Sequence, residues 1–221
     1  ARGFLLGGTS GRTTLNGEGL QHEDGHSQIL ANTIPNCVSY DPTFAHEVGV
    51  ILHHGLKRMV EKQEDVFYYI TLLNENYVMP GLAAGTQEQI IKGMYLCKEG
   101  PKLTPRVQLL GSGSILRESL AAQELLALDS GVGSNVWSCP SFNELARDGQ
   151  DCERHNLLHP QGEARVPFVT QQLDKHVGPV IAATDYMKVF GEQIRPYVPK
   201  GRTYKVLGTD GFGRSDFRSK L

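Results

Sequence analysis

The stretch Asp65-Val-Phe-Tyr-Tyr-Ile-Thr-Leu-Leu73 decides the fold class. It is a nearly continuous apolar and aromatic run of strand length, without polar alternation. Such a run predicts a strand buried on both faces of a parallel sheet. Outward towards the amino terminus, Asp41-Pro42 sets a capping acid before a first-turn proline and predicts a helix start. Phe44, Val48, Ile51, Leu52, Gly55 and Met59 follow at helical spacing on one face, with His46 and His53 on the other. Cys37-Val-Ser-Tyr40 reads as a short strand ahead of that helix. Ala1 to Leu6, before Gly7-Gly8, reads as the last turn of a helix closed by glycine. Thr9 to Ile34 is rich in Gly, Ser, Thr, Asn and His with no period, so it reads as a long loop of the kind that carries function.

Outward in the other direction, turn signals between Met79 and Pro101 bracket a short helix over Gln87 to Tyr95. A new alternation then begins. Arg106 to Leu110 is a strand, Gly111-Ser-Gly-Ser114 a tight turn, and a helix runs on to Leu128. Asn135 to Cys139 is a strand, Ser141-Phe-Asn-Glu144 a capping box, Pro179 to Ala183 a strand, Tyr186 to Tyr197 a helix and Tyr204 to Leu207 a strand. Strands alternating with helices predict an α/β protein of layered sandwiches with mainly parallel sheets. The expected division is a first unit over 1–82, a linker over 83–103 and a second unit over 104–221.

Bulk properties narrow the function classes. The 221 residues are 39% hydrophobic and 21% charged, as in an ordinary globular protein. With 22 Lys and Arg against 24 Asp and Glu, the formal net charge of -2 gives no broad positive field for nucleic acid or an anionic membrane. No apolar run approaches the ~20 residues that span a bilayer. Cys37, Cys97, Cys139 and Cys152 are scattered without CxxC spacing, which predicts reduced thiols in a cytoplasmic protein. Ala1 is no initiator and no secretory leader follows it, while Arg214 onward reads as an element that stops before it becomes periodic; both ends are expected to be cut.

The chemistry is expected in the long loop. His22-Glu-Asp-Gly-His26 matches H-E-x-x-H, in which two imidazoles one helical turn apart bind zinc and the glutamate activates water. That chemistry needs a helix, and Gly17, Gly19 and Gly25 surround or interrupt the pair. Read instead as Gly17-Glu-Gly-Leu-Gln-His22, the loop presents a carboxylate and an imidazole four residues apart. Histidine titrates near neutrality and suits proton transfer at a substrate carbonyl. A zinc hydrolase, a non-catalytic subunit-interface module and a merely solvated loop remain alternatives from the residues alone.

Four runs carry a resemblance. Thr9-Ser-Gly-Arg-Thr-Thr-Leu-Asn-Gly-Glu-Gly-Leu-Gln-His-Glu-Asp-Gly-His26, Tyr69-Ile-Thr-Leu-Leu-Asn-Glu-Asn-Tyr77, Glu144-Leu-Ala-Arg-Asp-Gly-Gln-Asp-Cys-Glu-Arg154 and Leu207-Gly-Thr-Asp-Gly-Phe-Gly-Arg-Ser-Asp216 resemble the homodimeric pyruvate dehydrogenase components of bacterial complexes. These are transketolase-like, thiamine-diphosphate-dependent enzymes. The resemblance implies the end of a middle, pyrimidine-binding domain followed by most of a transketolase carboxy-terminal domain. It implies decarboxylation of pyruvate and acetyl transfer to the lipoyl group of a dihydrolipoyl acetyltransferase partner. Thiamine diphosphate and Mg2+ would be held by residues preceding Ala1, in a homodimer, so this stretch alone is expected to be inactive. Matched to the Gly-Pro-Thr-His type of loop in transketolases, His22 is implied as the catalytic or substrate-contacting residue with Glu18 supporting it. His26 and Asp24 follow as secondary substrate contacts.

Overall fold

The computed structural model describes residues 2–8 and 23–212. The apolar run forms β3 (Phe67–Thr71), flanked on both sides by parallel partners, β1 (Phe4–Gly7) and β2 (Cys37–Tyr40), in the order β1-β3-β2. A strand of a parallel sheet is covered on both faces, so its side chains can be apolar throughout. Tyr68 is fully buried, stacked on Tyr40 at 6.2 Å between ring centroids and tilted against Phe4 at 5.4 Å. Helix α2 (Ala45–Leu56), prolonged by a π-helical turn over Lys57–Glu61, lays Glu47, Ile51, Gly55 and Met59 into the interior. A side chain at Gly55 would meet the Phe4 ring at 2.7 Å, so glycine there lets helix and sheet close up.

The second sheet has the order β4-β6-β5-β7-β8, built from β4 (Tyr95–Glu99), β5 (Arg106–Gly111), β6 (Gly133–Ser138), β7 (Val180–Ala183) and β8 (Tyr204–Leu207). Only β4 runs antiparallel to its neighbour; the other pairs are parallel. Val107, Leu109 and Val136 pack with Leu116 of α4 (Ile115–Ser130). Leu110, Trp137, Val180, Ala182 and Val206 pack with α5 (Phe142–Leu158), α6 (Phe168–Leu173) and α7 (Lys188–Glu192). The sheet is thus a middle layer between helices, and alternate residues of β5 serve the two faces. Each large side chain taken fully out of water here contributes about 1.5–3 kcal/mol.

Several expected elements come out differently. Phe4 to Gly7 is an edge strand rather than a helix end, because the partner that decides it, β3, lies some sixty residues away. The end of the long loop folds into α1 (Ser27–Asn32). The helix expected at Asp41-Pro42 begins only at Ala45, where Glu47 Oε2 accepts from the backbone amides of Thr43 and Phe44 at 2.6 and 3.0 Å. Helix α3 (Gln87–Lys92) ends at Gly93, which adopts φ +103°, and Tyr95 onward is β4. The helix read over Tyr186 to Tyr197 is the five-residue α7 followed by a 3-10 turn over Arg195–Tyr197. The capping box at Ser141 opens a 17-residue helix, longer than the turn expected.

Candidate active site

The carboxyl ends of parallel strands from both sheets meet at one seam, the place where open α/β sheets bind their ligands. Strand β2 ends into Asp41, β3 at Thr71, β5 into Ser112 and β7 into Thr184-Asp185. Asp41 is the point of contact. Its backbone amide donates to Pro140 O at 2.7 Å and its carbonyl accepts from Gly113 N at 3.0 Å. Its Oδ1 accepts from the Thr71 hydroxyl at 2.6 Å and its Oδ2 from the Ser112 hydroxyl at 2.9 Å. Gly113 adopts φ +49°, and a side chain there would fall 2.5 Å from Asp41 Oδ2. The turn at 111–114 is therefore glycine-rich so that backbone can reach this carboxyl.

Burial dominates the electrostatics of Asp41. With 2% of its surface exposed, the charged form is penalised, and its pKa rises to about 7. The hydroxyls of Thr71 and Ser112 oppose that rise, while the nearby acids Asp185 and Asp24 add to it. Asp185 is itself buried and accepts from the Ser114 hydroxyl at 3.1 Å.

The histidine loop enters α1 at the same seam. Of the expected site residues, Glu18 and His22 lie outside the described residues. Asp24 works as a cap: its Oδ1 accepts from the amides of His26 and Ser27 at 3.0 and 2.9 Å, and its Oδ2 accepts from the Ser27 hydroxyl. His26 is half-buried, its ring 6.4 Å from that of Phe212. Gly25 O accepts from the Met187 amide at 3.2 Å, which fastens the loop to the second domain. Glu23 is buried at 6% exposure, and its Oε2 has no hydrogen-bond partner among the described residues. Residues 23–26 are not helical and His26 precedes the first helical residue, so this segment lacks the face sharing a zinc pair requires.

Helix α1 is held from below by polar bonds. Gln28, fully buried, donates through Nε2 to Tyr40 O at 2.9 Å and to the Thr71 hydroxyl oxygen at 3.3 Å. Asn143 of α5 donates to Gln28 O at 2.8 Å and to Ser39 Oγ at 2.6 Å, and Gln193 Nε2 donates to Asn143 Oδ1 at 2.7 Å. The sequence reading missed Asp41, Thr71, Ser112, Asp185 and Gln28. Local pattern makes Asp41 a helix cap and the others parts of a turn, a strand or a loop, because the partners that give them meaning are 12 to 71 residues distant.

Comparison with known proteins matches the chain in two parts, the second of which takes in β4 from the stretch expected as a linker. Residues 1–80 match the pyruvate dehydrogenase E1 component middle domain, and residues 93–221 match the transketolase-like carboxy-terminal domain. The whole chain is 63% identical to the pyruvate dehydrogenase E1 component of Escherichia coli K12 and 60% identical to that of Cupriavidus necator. It spans about a quarter of the length of these curated relatives, 25% of each. Among solved structures, a transketolase variant of Pichia stipitis superposes over 98% of this chain and 27% of its own, with a TM-score of 0.66 at 15% identity. Transketolase from Campylobacter jejuni covers 98% of this chain and 28% of its own, with a TM-score of 0.64 at 18% identity. At such identities the likeness concerns the fold.

Proposed function

The chain belongs to the family of pyruvate dehydrogenase E1 components with a transketolase-like carboxy-terminal domain, and on that premise we propose that it is the substrate-side part of a thiamine-diphosphate-dependent pyruvate dehydrogenase. The full-length protein decarboxylates pyruvate and passes the acetyl group to the lipoyl arm of a dihydrolipoyl acetyltransferase, working as a cytoplasmic homodimer. The observation that carries this reading is the 63% identity over the whole of this chain, which includes the histidine loop. No helix among the described residues is long and apolar enough to cross a membrane.

Thiamine diphosphate supplies the electron sink for decarboxylation when bound. Among the described residues no three His, Cys, Asp or Glu side chains are grouped to hold a metal ion, so they do not fit the Mg2+ end of the cofactor. The reading assigns that end to other parts of the full-length protein. What this chain contributes is placement and proton management. His22 takes or gives the proton at the substrate oxygen or the incoming sulfur, and Glu18 tunes it. Asp24 fixes the exit of the loop through its cap on α1, and His26 sets the wall beside Phe212.

The test is turnover by the full-length protein supplied with thiamine diphosphate and Mg2+. Pyruvate-dependent reduction of an artificial electron acceptor and acetylation of an isolated lipoyl domain are both expected. Absence of pyruvate turnover in that preparation rejects the reading.

A further inference from the structure

We propose that Asp41 is a positioning residue of this active site: it clasps the strand ends of the two domains together and, through Thr71 and Gln28, sets the placement of α1 and of residues 23–26 leading into it. The proposal rests on the reading above for the identity of the reaction, but not for the geometry.

Three observations carry it. First, one side chain joins both domains, since Thr71 ends β3 of the smaller sheet and Ser112 follows β5 of the larger. Its backbone adds two further bonds across the seam, to Pro140 and Gly113. Secondly, the Thr71 hydroxyl that meets Asp41 also receives Gln28 Nε2, and Gln28 is the second residue of α1. The path from Asp41 to the Asp24 cap therefore runs through one hydroxyl, one amide and a single turn of helix. Thirdly, the hydrogen-bond inventory closes in either protonation state. Ionised, Asp41 accepts from both hydroxyls. Protonated, it donates to Thr71 Oγ1, whose own proton turns to Tyr40 O at 3.3 Å. When Asp41 is protonated it is the Thr71 hydroxyl that donates to Tyr40 O, the carbonyl that also receives Gln28, so a change of charge at Asp41 is felt at α1.

The groups facing Asp41 favour the proton. Asp185 beyond β7 and Asp24 before α1 are acidic, and the phenols of Tyr69 on β3 and Tyr77 beyond it lie within reach of its charge. A carboxyl in such company changes charge near neutrality and places a second negative charge beside the loop when it does.

The experiment compares Asp41→Asn and Asp41→Ala in the full-length protein. Hydrogen exchange over residues 23–32, corrected for intrinsic rates, is read beside kcat and KM for pyruvate. Asp41→Ala is expected to raise exchange there at least tenfold relative to a peptide in β5 or β6, and to lower kcat about tenfold with little change in KM. Asp41→Asn keeps the shape and both hydroxyl contacts, so it should restore protection and stay within about threefold of the parent in kcat. In the parent, exchange over 23–32 should rise between about pH 6 and about pH 8; in Asp41→Asn it should be flat. Unchanged exchange over 23–32 in Asp41→Ala overturns the proposal. If Asp41→Ala does not fold, Asp41→Asn decides: a pH dependence equal to that of the parent rejects the role, a flat one supports it. A parent protein without pyruvate turnover would remove the reaction assigned above, and the exchange measurement would still judge Asp41.

Discussion

The Ser138 hydroxyl, at the end of β6 in the larger domain, donates to Glu47 Oε1 on α2 of the smaller domain at 2.6 Å. The same oxygen receives the Tyr95 hydroxyl at 2.7 Å, and the other carboxylate oxygen takes the amides of Thr43 and Phe44. Glu47 is fully buried, so four donors depend on it. Glu47→Ala strands the Ser138 hydroxyl and the two amides, the Tyr95 hydroxyl keeping His46 Nε2 at 3.2 Å, and should cost about 3–5 kcal/mol. Glu47→Gln should cost about 1 kcal/mol, because its amide nitrogen can turn towards the two hydroxyls, which are able to accept. Urea unfolding of the two variants checks the order; equal losses would contradict it.

His22→Ala in the full-length protein should lower acetyl transfer from pyruvate to a lipoyl domain about a hundredfold or more. His26→Ala should do less, since its ring stands beside Phe212 and its backbone amide, which the variant retains, is what Asp24 holds. Steady-state kinetics with a lipoyl domain as acceptor measure both. Unchanged turnover in His22→Ala would make its loop a bystander.

Asp41 also gives a pH dependence of stability with a definite sign. Its pKa is about 7 in the fold against 3.8 for the ordinary carboxyl, so between those values the folded state holds a proton that the unfolded chain has lost. Its contribution is whole below about pH 4, falls as pH rises, and is gone above about pH 7. Asp41→Asn removes that decline and should therefore gain on the parent at about pH 8 by a few kcal/mol, with the gap closing towards about pH 4. Thermal midpoints at the two ends of that range test it, and a gap that widens on acidification would contradict the assignment.

Ser141 caps α5 and touches the other domain at once. Its hydroxyl oxygen accepts from the Glu144 amide at 3.0 Å and its proton goes to Ser39 O at 2.6 Å. Ser141→Ala should cost about 1–3 kcal/mol, more than an ordinary cap, because a buried carbonyl loses its donor as well. Calorimetry of the variant should show a lowered midpoint; a midpoint within a degree of the parent would show that Ser39 O finds another partner.

What was legible in the sequence is what local pattern controls. Phe67 to Thr71 could be read because a strand with neighbours on both sides is apolar without interruption, and Arg106 to Gly111 because a glycine turn and a periodic helix follow it. Phe4-Leu-Leu6 could not, since three apolar residues before two glycines suit a helix end as well as a strand, and only Tyr68 to Thr71 alongside settles it. The helix read over Gln87 to Tyr95 stops short because Gly93 turns the chain at positive φ, and Tyr95 opens β4 instead. In the site, the loop announced itself by histidines and glycines. Asp41 did not: beside Pro42 it looks like a cap, and its work is assigned by Thr71 and Ser112, 30 and 71 residues on.

The amide of Asn143 has a mechanical meaning. Its nitrogen holds Gln28 O and Ser39 Oγ, both buried in the smaller domain, and its oxygen holds the half-buried Gln193 of the larger. The two bonds of the nitrogen cross between the domains, so separating the domains breaks both together, while the Gln193 bond holds the amide's orientation from within the larger domain. One amide thus works as a two-pronged pin between the domains, with Gln193 as the brace that keeps the prongs aimed.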